Sequence, residues 1–251
     1  MDKSCKTSFK EFYKRQIVMK ELGEKGQKRL LNSKVAVVGL GGLGSASSIY
    51  LARAGVGKLR LIDKDKVEIH NLHRQVLYTY KDVGRLKTEA AAERLKELNP
   101  YLKVETFQET LNLTNAEHLL KGVDCIVDGL DNMQTRYILN RASVKLKIPF
   151  IFGAAVGMEG NLSVFNPPET PCLECILPNI DDKNLPKCEV RGVLGPTPGI
   201  IGTMQAMETI KILTGIGSPL KGKLMIFDFN DTYITTIDIQ KRENCPTCQP
   251  K

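Results

Sequence analysis

The sequence lacks any apolar segment long enough to cross a bilayer, and it lacks the features of an export signal. A membrane-spanning helix needs about 20 consecutive apolar residues, and no apolar stretch follows the basic N-terminal segment MDKSCKTSFKEFYKRQ. We therefore expect a soluble, cytoplasmic globular protein that has no membrane partner. An odd number of cysteines, seven, argues against a disulfide framework and favours metal ligation or reactive thiols.

The positive charge is unevenly distributed along the chain. The formal net charge is +8, and residues 1–34 hold ten basic against four acidic residues. We predict an N-terminal helical arm over this segment, either simply solvated or attracting an acidic macromolecule. Nucleic acid is not the expected partner, because no helix-turn-helix, zinc-finger array or aromatic-studded RNA-binding strand accompanies the charge.

The first half of the chain alternates short apolar runs with helical stretches. The runs at 35–39, 59–62, 123–127 and 149–152 are typical of buried parallel strands. This alternation predicts an α/β fold with a Rossmann-like, doubly wound, mainly parallel sheet that helices cover on both faces. In such folds the ligand binds at the carboxyl ends of the strands.

The second half has a different pattern, so that residues 35–251 read as one domain with halves at 35–153 and 154–251. Antiparallel strands that continue the sheet are predicted for NLSVF, KLMIFDF and TYITTIDI, around the helix IIGTMQAMETIKILTG. A long loop, NPPETPCLECILPNIDDKNLPKCEVRG, is rich in Pro, Asp and Asn. Loops of this length are usually functional or mobile.

A glycine-rich turn follows the first predicted strand, in the segment VAVVGLGGLGSAS. Gly39, Gly41 and Gly44 satisfy G-x-G-x-x-G, a turn that presents backbone N–H groups and a helix N-terminus to a phosphate. Asp63 ends the second strand at the distance, roughly 20 residues, at which dinucleotide folds place a ribose-binding acid. A dehydrogenase and an ATP-using enzyme share these features.

Polar residues that follow the strands separate these two interpretations. Asn71, Arg74 and Gln75 lie in the loop after the second strand, Lys87 begins the next helix, and Asp131 follows the run 123–127. All of these segments meet at the carboxyl edge of the sheet. Two cations beside a phosphate-binding turn, with a carboxylate able to hold Mg²⁺, suit a triphosphate that is being cleaved. Hydride transfer needs no such positive charge.

Four of the cysteines form two C-x-x-C pairs, Cys172 with Cys175 and Cys245 with Cys248. This spacing predicts a closed, tetrahedral structural zinc site that pins the long loop to the C-terminal tail; two unrelated thiol pairs are the alternative. Cys188 lies in the same loop between Lys187 and Arg191, and nearby cations favour a thiolate.

Several motifs in order along nearly the whole chain resemble those of the MoeB/ThiF/HesA adenylyltransferases, which are relatives of the ubiquitin-activating enzymes. They are YKRQI, VVGLGGLGS, LIDKDKVEIHNLHRQ, VGRLKTEAA, DGLDNMQTRYILN, GAAVGMEGNLSVF and GIIGTMQAMETIKILTG. The resemblance implies ATP-dependent adenylation of the C-terminal glycine of a ubiquitin-like sulfur-carrier protein that ends in Gly-Gly. Pyrophosphate would be released, and the pathway would be molybdopterin, thiamine or related biosynthesis.

The same resemblance assigns roles to individual residues. Gly42 would line the phosphate-binding turn, and Asp63 would hold the ribose. Asn71 and Arg74 would contact the phosphates, with Lys87 in support. Asp131 with Asn132 would serve Mg²⁺ and the nucleotide. Arg15, from YKRQI, would enter the neighbouring subunit's site, which implies a homodimer. Cys188 matches a position that in some relatives takes up the carrier or its sulfur, and a dispensable thiol is the alternative. Since the sequence ends at Lys251 without a sulfur-donating domain, we expect a separate sulfur donor.

Three other functions are compatible with parts of the pattern. A nicotinamide (NAD(P)) oxidoreductase would use the same glycine turn and bind NADH more tightly than ATP. A catalytically silent docking module would be expected to lack Arg74, Lys87 or Asp131, which are all present. A tRNA-modifying dehydratase also adenylates, but the double C-x-x-C and the tail pattern favour the carrier-activating group.

Overall fold

One mixed eight-stranded sheet organises the computed structural model, which describes residues 9–184 and 192–249. Its strands are β1 (Lys34–Val38), β2 (Lys58–Ile62), β3 (Lys103–Phe107), β4 (Cys125–Asp128), β5 (Phe150–Val156), β6 (Glu159–Phe165), β7 (Lys223–Asp228) and β8 (Tyr233–Asp238). The strand order is β3-β2-β1-β4-β5-β6-β7-β8. β1 to β5 are parallel, and β6 to β8 continue the sheet in antiparallel pairing. The predicted architecture is therefore confirmed.

The helices lie between these strands and ahead of them. They are α1 (Phe9–Phe12), α2 (Lys14–Ile17), α3 (Gly23–Asn32), α4 (Gly42–Ala54), α5 (Lys87–Leu98), α6 (Ala116–Leu120), α7 (Met133–Leu146), α8 (Leu173–Ile176) and α9 (Pro196–Thr214). None of the helices in the described ranges has the length and apolar character that a bilayer-spanning segment needs.

Two separate apolar cores, one on each face of the sheet, explain the double winding. Successive residues of β1 point to opposite faces, so Val35 and Val37 pack with α4 and α5 while Ala36 and Val38 pack with α6 and α7. Both faces of the central strands are thus buried, as parallel sheets require. This burial is why those strands read as continuous apolar runs in the sequence.

The edge strand β3 was missed by the sequence analysis, because it lacks an apolar run. Its KVETF sequence is only partly buried, and Glu105 pairs with Lys34 at 3.0 Å, Lys58 at 3.1 Å and Arg60 at 2.9 Å. Burial acts to raise the pKa of Glu105, but the three cations outweigh it and lower the pKa to about 2. Charge pairing across the sheet edge therefore accompanies the parallel pairing of β3 with β2.

The N-terminal segment packs one face against the domain. Tyr13 is 2% exposed and its hydroxyl accepts a hydrogen bond from the Asn99 side chain at 2.7 Å. The amides of Gln16 and Gln27 both donate to the Ala54 carbonyl at 2.9 Å. These contacts hold α2 and α3 against the end of α4, while the basic side chain of Arg15 stays exposed.

Candidate active site

A cleft of about 1190 Å³ opens at the carboxyl ends of the parallel strands. It is lined by most of the residues that the sequence analysis selected for nucleotide binding: Gly39, Gly41, Gly42, Asp63, Asn71, Arg74, Gln75, Lys87, Asp131 and Asn132. The residues that follow β1, β2 and β4 thus line the same cleft, as expected for the carboxyl ends of parallel strands.

The glycine turn connects β1 to α4 by a close approach of backbone to backbone. Gly39 has a φ of +89°, and a methyl group on Gly44 would stand 1.9 Å from the Gly39 carbonyl oxygen. Gly44 therefore makes room for the turn and, in contrast to Gly41 and Gly42, does not line the cleft. No side chain in the described part of the chain caps α4, so its N-terminus can accept an anion.

Asp63 accepts hydrogen bonds from the backbone of the glycine turn and of the loop after β2. Its Oδ2 accepts from the Leu40 N–H at 2.7 Å, and its Oδ1 accepts from the Asp65 N–H at 2.8 Å. Burial raises the pKa of Asp63, although Lys87 and these N–H donors act in the opposite direction. The carboxylate consequently fixes the glycine turn against the end of β2 in addition to facing the cleft.

Two of the cations on the cleft wall, Lys87 and Arg74, are already oriented by neighbours. The Lys87 ammonium, with a side chain 8% exposed, lies 3.1 Å from Asp65 Oδ2. Arg74 Nη1 donates to the His70 carbonyl at 2.9 Å and lies 2.9 Å from His73 Nε2. Since a guanidinium only donates, His73 Nε2 must be the acceptor in this contact.

The two amides of the same loop have different surroundings. Asn71 Oδ1 accepts from the Glu68 N–H at 3.1 Å and helps to close a helical turn. Gln75 is only 3% exposed, and its buried Oε1 has no hydrogen-bond partner among the described residues. An unpartnered buried oxygen beside a ligand cleft is a candidate acceptor for a bound molecule.

Asp131 and Asn132 occupy the turn between β4 and α7. Asp131 is exposed and accepts a hydrogen bond from Asn132 Nδ2 at 3.1 Å. Asn132 is also the N-cap of α7, where its Oδ1 accepts from the Thr135 N–H at 2.9 Å. The exposed Asp131 carboxylate therefore lines the cleft on a turn that the helix cap stabilises.

Two acidic residues and one arginine at this turn were not predicted from the sequence. Asp128 and Arg136 form a buried ion pair at 2.9 Å. Asp182, from the long loop, accepts from the Met133 N–H at 2.6 Å and the Gln134 N–H at 3.0 Å, which complements the α7 dipole. The spacing of Asp128 and Arg136 across a strand end and a helix start was a usable signal, whereas Asp182 is too distant in sequence to give one.

Away from the cleft, the two C-x-x-C pairs form one thiol cluster. The Sγ–Sγ distances are 3.9 Å for Cys172–Cys175, 3.7 Å for Cys172–Cys245 and 3.4 Å for Cys175–Cys248. Tetrahedral zinc with Zn–S bonds of about 2.3 Å requires sulfur atoms roughly 3.8 Å apart. The four cysteines are thus clustered so that they could bind a metal ion.

The thiol cluster is attached to α7 through polar contacts. Glu174, 4% exposed, pairs with Arg141 at 2.8 Å and accepts hydrogen bonds from Asn140 and Thr247. Burial acts to raise the pKa of the Cys245 thiol, but hydrogen bonds with the Cys248 and Thr247 N–H groups and with the Cys175 and Cys172 thiols outweigh it and lower the pKa to about 7. The cluster therefore joins the long loop, α7 and the C-terminal tail.

Two predicted functional residues lie outside the cleft or outside the described residues. Within the described part of the chain, the residues that line the cleft do not include Arg15, which is exposed on α2. Cys188 lies outside the described residues. The predicted roles of Arg15 and Cys188 are therefore not tested by this structure of a single chain.

Comparison with known proteins gives a family and several relatives. Residues 13–247 match the ThiF family. The sulfur carrier protein adenylyltransferase of Thermus thermophilus is 40% identical over 94% of this chain and 89% of its own length. The adenylyltransferase and sulfurtransferase MOCS3 of Culex quinquefasciatus is 43% identical over 94% of this chain and 54% of its own. The chain thus spans about half the length of the latter relative.

Solved structures share the fold at lower identity. Escherichia coli MccB, in a crystal structure with ATP, has a TM-score of 0.80 and is 27% identical, covering 89% of this chain and 68% of its own. PaaA has a TM-score of 0.80 and is 27% identical, covering 96% of this chain and 79% of its own.

Proposed function

Because this chain belongs to the ThiF family, we propose that it adenylates the C-terminal glycine of a ubiquitin-like sulfur-carrier protein ending in Gly-Gly, with release of pyrophosphate. The observation that carries the proposal is one cleft lined by a phosphate-binding turn, Arg74, Lys87 and Asp131. The names of two relatives, both adenylyltransferases, support the same reaction.

The reaction joins two anions, and the proposed residues serve that need. A carboxylate oxygen of the carrier bonds to the α-phosphorus of ATP, the bond from that phosphorus to the bridging oxygen breaks, and pyrophosphate leaves with the electron pair. A C-terminal carboxylate is already ionised at neutral pH, so no general base is required. Positioning and fixed positive charge supply the rate.

Each cleft residue receives a role in this scheme. Gly39, Gly41 and Gly42 leave room for the phosphates at the N-terminus of α4, Asp63 holds the ribose, and Gln75 offers its free oxygen to the nucleotide. Asn71, Arg74 and Lys87 bind the phosphates. Asp131, with Asn132, would hold Mg²⁺, which neutralises triphosphate charge when bound; an exposed carboxylate facing the cleft is the ligand type that this ion prefers.

The remaining elements of the proposal concern assembly and sulfur transfer. Arg15, exposed on α2, would complete the site of a second copy in a homodimer. The thiol cluster would bind structural Zn²⁺. A separate donor protein would supply sulfur for molybdopterin or thiamine biosynthesis, with Cys188 a candidate for covalent transfer.

The direct test is ATP–pyrophosphate exchange. With Mg-ATP and labelled pyrophosphate, we expect label to enter ATP only when a carrier ending in Gly-Gly is present. The matched control is the same carrier without its last two residues. Absence of exchange with every candidate carrier would reject the proposal, and NADH binding tighter than ATP binding would favour the oxidoreductase instead.

A further inference from the structure

Arg136 borders the cleft and joins one carboxylate and two backbone carbonyls. Its Nε donates to Asp128 Oδ2 at 2.9 Å, and its Nη2 donates to the Leu130 carbonyl at 2.6 Å and to the Gly153 carbonyl at 2.8 Å. The guanidinium carbon lies 5.3 Å from the centre of the Phe152 ring. With a side chain 9% exposed, Arg136 is held by the end of β4, the β4–α7 turn and β5 at once.

Arg136 contacts the β4–α7 turn, which also carries Asp131. Asp128 Oδ1 accepts from the Leu130 N–H at 2.9 Å, so the ion pair shapes the turn from both ends. Gly129 packs directly on the glycine turn, since a methyl group there would stand 2.1 Å from the Gly39 oxygen. The position of Asp131 relative to the glycine turn is therefore set by the packing of Gly129 on Gly39 and by the contacts that Arg136 makes with Asp128 and Leu130.

The charge and hydrogen bonding of the Asp128–Arg136 pair require an arginine at this position. Asp128 is fully buried, and burial raises the pKa of its carboxyl while Arg136 acts in the opposite direction. Only a guanidinium provides directed donors to a carboxylate and two carbonyls in one plane, whereas a lysine ammonium supplies charge without that fork. Exposed Asp131, by contrast, accepts its hydrogen bond from its own neighbour Asn132.

We propose that Arg136 is a positioning residue that orients the Asp131 turn for the divalent cation of the nucleotide complex. The proposal rests on the function proposed above, because it deepens the role given there to Asp131. Removing groups that orient metal ligands typically weakens metal binding by about 10- to 100-fold. In this scheme Arg136, although it borders the cleft, acts through the turn and is given no contact with the nucleotide or the metal.

The test uses Mn²⁺ as the probe and the whole chain in the presence of ATP, with bound and free Mn²⁺ measured by electron paramagnetic resonance. Arg136→Lys keeps a positive charge beside Asp128 but loses the coplanar N–H donors of the guanidinium. We therefore expect the Mn²⁺ dissociation constant to rise about 10- to 100-fold. We expect ATP binding without metal to change by less than about threefold, because the glycine turn and the Arg74 and Lys87 cations are retained. The control, Arg94→Lys, alters an exposed ion pair with Glu97 and should change neither quantity.

A second variant keeps the test decisive if Arg136→Lys folds poorly. Phe152→Leu removes the ring beside the guanidinium, and we expect a smaller rise in the Mn²⁺ dissociation constant of about two- to fivefold. Unchanged Mn²⁺ binding in the folded variants, or equal weakening of Mn²⁺ and metal-free ATP, would overturn the positioning role. Failure of the wild-type exchange assay would instead reject the proposed function, so the two failures are distinguishable.

Discussion

Replacing Arg74 with alanine is expected to lower carrier-dependent ATP–pyrophosphate exchange by at least about a hundredfold. The Arg74 guanidinium lies on the cleft wall and is oriented by the His70 carbonyl and His73. Loss of one preoriented donor to a developing anion costs about 10²- to 10³-fold in rate, and a cation that screens two reacting anions is such a donor. The control is Arg53→Ala, an exposed arginine at the end of α4. Exchange within tenfold of wild type in Arg74→Ala would refute the role of Arg74.

The same variant tests the proposed contribution of Arg15 to a neighbouring subunit. Arg15→Ala and Arg74→Ala are each expected to be nearly inactive. After mixing and subunit exchange, half of the dimers carry one of each chain, and each such dimer has one complete site. About a quarter of wild-type exchange should return. No recovery, with mixed dimers shown to form, would contradict the trans arrangement.

Because we propose that the thiol cluster binds structural zinc, we expect removal of its cysteine ligands to cause the largest change in stability. Cys172→Ser and Cys245→Ser should each lower the free energy of unfolding by about 4 kcal/mol, because loss of a metal is among the few single changes with so large an effect. For a chain of this size, that corresponds to a fall in melting temperature of about 10 °C. The physical reason is that the cluster joins α7, the long loop and the C-terminal tail through Glu174 and Thr247.

Scanning calorimetry with and without a chelator measures this prediction. The chelator should lower the melting temperature of the wild type to that of the serine variants and should leave those variants unchanged. Cys125→Ala is the control, since Cys125 is buried in β4 away from the cluster. Purified protein that contains no zinc, or that is insensitive to the chelator, would contradict the zinc proposal.

The parts of the fold that could be predicted are those in which local sequence and global packing coincide. β1 is buried on both faces, so its VAVV core reads as a continuous apolar run, and the glycine turn after it has a fixed spacing. β3 could not be found in this way, because its pairing at the edge is supported by the ion pairs of Glu105 and not by an apolar pattern.

The residues of the candidate site likewise fall into two groups, those that could be predicted from the sequence and those that could not. Residues that directly follow parallel strands could be brought together from the sequence alone, since strand ends meet at one edge. The groups that orient them could not. Asp65 holds Lys87 from 22 positions away, and Asp182 reaches the start of α7 from 49 positions after Met133. Such contacts depend on the folded path of loops, which residue spacing does not encode.

We propose that fixed cations around the glycine turn bind the triphosphate whose α-phosphorus is attacked. A crystal structure with an ATP analogue that cannot be cleaved between the α- and β-phosphates tests it most directly. We predict phosphate oxygens within about 3 Å of Arg74, Lys87 and the N–H groups at the start of α4. A bound nucleotide whose phosphates lie elsewhere, with Arg74 and Lys87 still turned toward His70 and Asp65, would contradict the claim.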